Sequence, residues 1–258
     1  MTEMLPRAHG SADRCYDRQF FFVFFFLLSF VFIASAHVFA GGREALAFFD
    51  APAGRTILFA AAQERYDSPA AHGRAEEIAA RLCAAAGETQ GVQIIIRSGD
   101  QLNAYALPGR IIVLNAAALS LPEGELAALL AHELGHIVHG DPAAIILRSP
   151  RAMSALSGVR ADADGSYDER AAKKILRAIS YGALTQNEER RADVFAAALL
   201  PKAGFSCADA RALLARMESS YGAVSRVNSH LSWEERRAIF CDDVDHAAAR
   251  TTQAEETM

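Results

Sequence analysis

The sequence is poor in the features that mark several large functional classes. Its 26 Lys and Arg are outnumbered by 31 Asp and Glu, and no cluster of basic residues stands anywhere along the 258 positions. Nucleic-acid binding, which needs such a cluster on one face, is thereby excluded. No internal repeat runs along the chain, so a solenoid or repeat array is set aside. After Arg43 no apolar stretch is long enough to cross a bilayer, which argues against a multi-span membrane domain. Cysteine is sparse, and Cys15 precedes the N-terminal apolar run, the wrong place for a lipid-modified N-terminus. Of the remaining cysteines, Cys207 and Cys241 are the expected pair in an oxidising compartment; buried thiols at Cys83, Cys207 and Cys241 are the alternative.

What is present is an ordinary globular composition, 52% hydrophobic and 22% charged, at a length that suits one folded domain. Nine of the fifteen Phe lie between Phe20 and Phe39, so much of the aromatic content belongs to one N-terminal segment and not to the core. No Asp, Glu, Lys or Arg occurs between Arg18 and Arg43, and Phe20 to Ile33 has the length of a signal-peptide apolar region. Ala34-Ser35-Ala36 and Val38-Phe39-Ala40 then offer the small side chains that a signal peptidase needs. The expectation is a signal peptide or N-terminal anchor over 1–40, a folded domain over 41–250 and a disordered tail over 251–258. If the segment is retained, Gln19 to Gly42 ties the chain to a membrane.

Apolar residues at Ala71, Ala75, Ile78, Ala79, Leu82 and Ala86 recur at helical spacing and predict an amphipathic helix. Val92 to Ile96 and Arg110 to Leu114 have strand length and composition, and Pro108-Gly109 suggests that the two pair as neighbours. Ser120 can cap a helix that runs to about His139, where Gly140 and Pro142 supply the stop. That helix is apolar around most of its cylinder, so any polar residue in its middle needs a reason. Residues 148–170 read as a polar connection, and Asp162-Ala163-Asp164-Gly165 within it as a solvated turn, because the further ligands of a calcium loop are missing. A helix is expected over 169–182, and another from near Thr185 or Asn187 to before Pro201.

The polar residues inside the apolar helix form His132-Glu133-Leu134-Gly135-His136. Two histidines four apart lie on one helical face, one turn from each other, and offer two zinc ligands. Glu133 beside them can aim a carboxylate at the attacking water, as a general base requires. A catalytic zinc takes a third protein ligand and keeps one position open. A third histidine ten residues after His132 is ruled out, since that position is Pro142, and His139 stands where a glycine would be needed. Glu189 on a second helix is the candidate, with Asp193 one turn further on the same face to orient a ligand histidine; Glu188 is the alternative, without such an Asp. Arg190 and Arg191 read as a charged helix face.

From about Ser68 to Phe240 these motifs, in this order, resemble the M48 family of zinc metallopeptidases. The resemblance implies an α+β, mainly helical domain of the gluzincin type, with a small antiparallel sheet beside the His-Glu-x-x-His helix, over 41–250. It implies one Zn²⁺ per chain on His132, His136 and Glu189, with catalysis by Glu133. Asn103, Ala104 and Tyr105 match the family's Asn-Ala-aromatic segment, which implies pairing with an extended substrate backbone. His230 and Arg236 match a C-terminal His-Pro motif whose His lies near the metal, to stabilise the oxyanion or act as a latch, although Leu231 stands in place of the Pro. The branch it resembles is soluble and exported, so the implied work is cleavage of unfolded or misassembled envelope proteins in the periplasm, or from an inner-membrane anchor. A rival is a zinc-stabilised chaperone or assembly factor, whose mark would be a missing Glu133; a latent protease, occluded by His230 or by 148–170, keeps the same chemistry.

Overall fold

The computed structural model describes residues 69–150, 154, 184–221 and 231–240, all within the compact unit Ala45–Met258. The expectations for 1–40, for most of 148–170, for the 169–182 helix, for His230, for Cys241 and its pairing with Cys207, and for 251–258 lie outside these residues. Among them, no helix is long and apolar enough to cross a membrane.

Helix α1 spans Pro69–Ala86, and strands β1 (Gln93–Arg97), β2 (Ala104–Leu107) and β3 (Ile111–Asn115) follow. The sheet order is β1-β3-β2, with β1 parallel and β2 antiparallel to β3. The sheet is therefore mixed. The expected neighbours do pair, but in parallel, and the Pro108-Gly109 turn joins β3 to the short strand β2 instead. The unbroken apolar runs Ile94–Ile96 and Ile111–Leu114 are the mark of strands buried on both faces. Ile94, Ile96, Ile112 and Leu114 face the main core, and Ile95 and Val113 are buried on the other side. Gly109 (φ 78°) and Arg110 (φ 62°) make the turn. Arg110 holds this rare conformation because its guanidinium donates to Gly91 O and Gln90 O and pairs with Glu88.

After a 3₁₀ turn at Ala116–Ser120 come α2 (Glu123–His139), α3 (Asp141–Arg148), α4 (Gln186–Leu199), α5 (Cys207–Tyr221) and α6 (Trp233–Ile239). Ser120 does not cap α2: its hydroxyl donates to Ala117 O at 2.7 Å, Pro122 takes the cap position, and Glu123 pairs with Arg81 at 3.5 Å. Helix α2 lies at the centre, against α1, α4, α5 and β2. Leu126, Leu130 and Leu134 are completely enclosed, which stabilises the fold by about 1.5–3 kcal/mol each. Across the α2–α4 contact stands Gly135, where a Cβ would lie 3.0 Å from Ala192 Cα and 3.1 Å from Ala192 O. Glycine lets the two helices approach closely enough for their side chains to share one centre.

Helix α4 begins with a reciprocal cap. The Glu188 N–H donates to Thr185 Oγ1, and Glu188 Oε2 accepts from the Thr185 N–H at 2.7 Å. Helix α6 starts in the same way at Ser232 and Glu235. Helix α2 ends at Gly140, whose left-handed φ of 73° reverses the chain directly into α3.

Candidate metal centre

His132 and His136 stand one turn apart on α2, with ring centroids 4.7 Å apart and edge to face. Each ring is held at Nδ1. Asp193 of α4 lies 2.8 Å from His132 Nδ1, and Asp141, the first residue of α3, lies 2.9 Å from His136 Nδ1. An ionised carboxylate only accepts, so both Nδ1 atoms carry the proton and both Nε2 atoms present lone pairs. Those two Nε2 atoms face each other at 3.1 Å. Glu189, one turn before Asp193 on α4, brings its carboxylate oxygens to 3.6 Å from His132 Nε2 and 3.8 Å from His136 Nε2.

The three side chains offer ligand atoms that all lie within 4.8 Å of one another. Three acceptors converging in a buried place repel unless a cation stands among them. Bonds of about 2.0–2.2 Å at tetrahedral angles would set neighbouring donors roughly 3.3–3.6 Å apart, close to the 3.1, 3.6 and 3.8 Å observed. Charge agrees with geometry. Glu133, Glu189, Asp141 and Asp193 face two guanidiniums, Arg236 and Arg191, leaving a formal surplus of two negative charges for a divalent ion to offset. The residues present fit a metal.

The carboxylate behind His132 is itself anchored. Arg236 of α6 donates to Asp193 through Nε at 2.8 Å and Nη2 at 2.7 Å, a two-point grip in a buried place. Burial opposes ionisation of Asp193, yet the Arg236 guanidinium beside it and the hydrogen bonds from Arg236 and His132 hold its pKa far below the usual carboxylate range. Burial likewise opposes the charged form of His136, but the hydrogen bond with Asp141 and the carboxylates of Glu133 and Glu189 raise its pKa above the ordinary imidazole value. The field that favours a proton here favours a metal ion equally.

Glu188 points elsewhere: Arg148 donates to it at 2.5 and 3.0 Å, and Thr185 caps it. Burial would raise its pKa, but these partners lower it to about 2. Of these two glutamates, Glu189 reaches the histidine Nε2 atoms. Glu133 lines the same cavity of about 570 Å³ as His132 and Glu189. Asn103 and Ala104 line it too, whereas Tyr105 is absent from its wall and its hydroxyl lies 3.5 Å from Arg97 Nη1. The apolar part of its lining includes Leu129, Leu213, Met217, Trp233 and Phe240.

Sequence reasoning missed Asp141 and Arg191. Gly140-Asp141-Pro142 reads as a helix stop, and only the left-handed turn at Gly140 brings Asp141 back beneath His136. Arg191, expected as solvated face, donates to Asp141 Oδ1 at 2.6 Å. Arg190 does behave as a surface charge, pairing with exposed Glu235 at 3.4 Å.

A mainly helical domain with a small mixed sheet, and two histidines and a glutamate from two helices drawn together beside a carboxylate-lined cavity, define a metallopeptidase. The family model for peptidase family M48 matches residues 69–239, well over half of the chain, and the chain belongs to that family. It is a metal-dependent hydrolase acting on peptide bonds. No curated protein matches it.

Proposed function

We propose that the metal is Zn²⁺, one per chain, held by His132, His136 and Glu189, and that the enzyme is an exported endopeptidase cutting unfolded or misassembled envelope proteins. The observation that carries this reading is the convergence of those three side chains within 4.8 Å, with Glu133 on the wall of the same cavity. Two neutral imidazoles and a carboxylate suit zinc and leave a position open for catalysis. The ion, when bound, polarises the scissile carbonyl and acidifies water.

The remaining steps belong to the chain. Glu133 takes a proton from the attacking water and returns it to the leaving amine, which needs a carboxylate on the cavity wall and not one locked in an ion pair. Asp193 and Arg236 keep His132 oriented. Among the described residues strand β2 is an edge strand, and Ala104 at its start and Asn103 before it line the cavity, so an extended peptide can add its backbone there. Tyr105 is proposed to support that strand and not to touch substrate. His230 is proposed, on the family resemblance, to stabilise the oxyanion or to act as a latch.

The apolar lining favours bulky apolar side chains, which a folded protein hides and an unfolded one exposes. Export to the periplasm, with or without an inner-membrane anchor, rests on the Phe20–Ile33 segment and the small residues after it. Glu133→Gln tests the reading. It should keep the metal and lose about 10²–10⁴-fold of casein cleavage. Full activity would remove Glu133 from the mechanism, while metal and substrate binding without cleavage in the parent chain would instead indicate a chaperone.

A further inference from the structure

We propose that Asp141 and Arg191 form a second positioning relay for the metal, in which Arg191 holds Asp141 and Asp141 holds His136. This rests on reading His132, His136 and Glu189 as the metal site. Asp141 is almost wholly buried, 1% exposed, and its two oxygens are divided: Oδ2 accepts from His136 Nδ1 at 2.9 Å, and Oδ1 accepts from Arg191 Nη2 at 2.6 Å. A buried carboxylate is unfavourable unless its partners are both charged or well aligned.

The backbone is arranged to make the contact. Gly140, left-handed at φ 73°, is the sole residue between α2 and α3, and it turns Asp141 under the last turn of α2. Arg191 lies two residues after Glu189 on α4, so the relay from His136 returns to the helix that supplies the third ligand. The other end of α3 repeats the link, where Arg148 grips Glu188 at 2.5 and 3.0 Å. Glu189 is thus flanked on α4 by two residues tied to α3. His132 has its own relay through Asp193 to Arg236, and the two relays together turn both Nε2 lone pairs inward. They differ in exposure: Arg236 is 9% exposed and Arg191 51%. Asp141 therefore carries most of the orientation, and Arg191 a smaller, solvent-screened share.

The test measures zinc affinity by competition with a chromophoric chelator, and the visible absorption of the cobalt-substituted protein, on the full chain. Asp141→Asn, which keeps the shape, should bind zinc about 10–100-fold more weakly and alter the cobalt spectrum. Arg191→Met should weaken zinc by about threefold to tenfold, with Arg191→Lys restoring most of the loss. Thermal melts of the metal-free proteins separate this from a structural role. Unchanged zinc affinity and cobalt spectrum in Asp141→Asn, whatever its melting temperature, overturn the relay. A parent chain that binds no zinc in stoichiometric amount overturns the metal site itself, a result seen before any variant is compared.

Discussion

Gly135→Ala sets two effects of similar size against each other. Alanine in a helix interior is favoured over glycine by about 0.8–1.0 kcal/mol, so propensity alone predicts a more stable protein. The new methyl would lie 3.0 Å from Ala192 Cα, 3.1 Å from Ala192 O and 3.2 Å from Phe195 Cδ1, against the roughly 3.5–4.0 Å of a comfortable contact. Two of those atoms are backbone, so relief requires α4 to retreat by about half an ångström or more. Overpacking of this kind costs about 1–3 kcal/mol, which leaves global stability little changed or modestly reduced. The site suffers more than the fold. Glu189 lies three residues from Ala192 on α4 and moves with it, while ligand distances tolerate about ±0.2 Å. Zinc affinity, measured by chelator competition, should therefore fall by about tenfold or more with the metal-free melting temperature shifted by only a few degrees. Unchanged affinity together with a raised melting temperature would refute the claim that the close α2–α4 approach sets the ligand geometry.

Arg236→Met leaves buried Asp193 without its guanidinium and should destabilise the metal-free protein by about 3–5 kcal/mol in urea. Asp193→Asn combined with Arg236→Met should recover part of that loss, and no recovery would contradict a buried pair. Because Glu188 has its pKa lowered from 4.5 to about 2 in the fold by Arg148 and the Thr185 cap, these interactions stabilise fully above pH 4.5 and lose that contribution as pH falls toward 2. Parent chain and Glu188→Gln should differ in urea midpoint at pH 6, and the difference should shrink across that window; a constant gap would contradict a carboxylate held ionised by the fold. Leu213→Arg on the apolar wall should lower cleavage of peptides with bulky apolar side chains by about tenfold or more, with less effect on small ones, and an equal loss on both would deny that wall a part in selection.

Those features that depend on spacing along one helix were legible in the sequence. His132 and His136 four apart, and Glu189 and Asp193 four apart, share a face on any α-helix, and the apolar ring around α2 marked its polar members as exceptional. What depends on a single backbone dihedral was not. Asp141 reaches His136 only through the left-handed turn at Gly140, and a Gly-Asp-Pro string signals termination without saying where the next side chain lands. Only Glu189 has an Asp one turn on, which favours it over Glu188, and in the fold the Thr185 cap and Arg148 both engage Glu188. Strand direction was misread because Ala104–Leu107 contains no β-branched residue, so the hairpin turn at Pro108-Gly109 was assigned to the wrong partner. Leu213, Met217, Trp233 and Phe240 of the cavity's apolar lining lie far in sequence from the histidines, and periodicity carries no record of such tertiary meetings.

Elemental analysis of the purified chain beside its Glu189→Ala variant tests the metal centre most directly. One zinc per parent chain and a clear loss of zinc in the variant are expected, since the carboxylate from α4 closes a site that two imidazoles hold only weakly. A parent without zinc, or a variant that keeps it in full, would contradict the joining of these two helices around one ion.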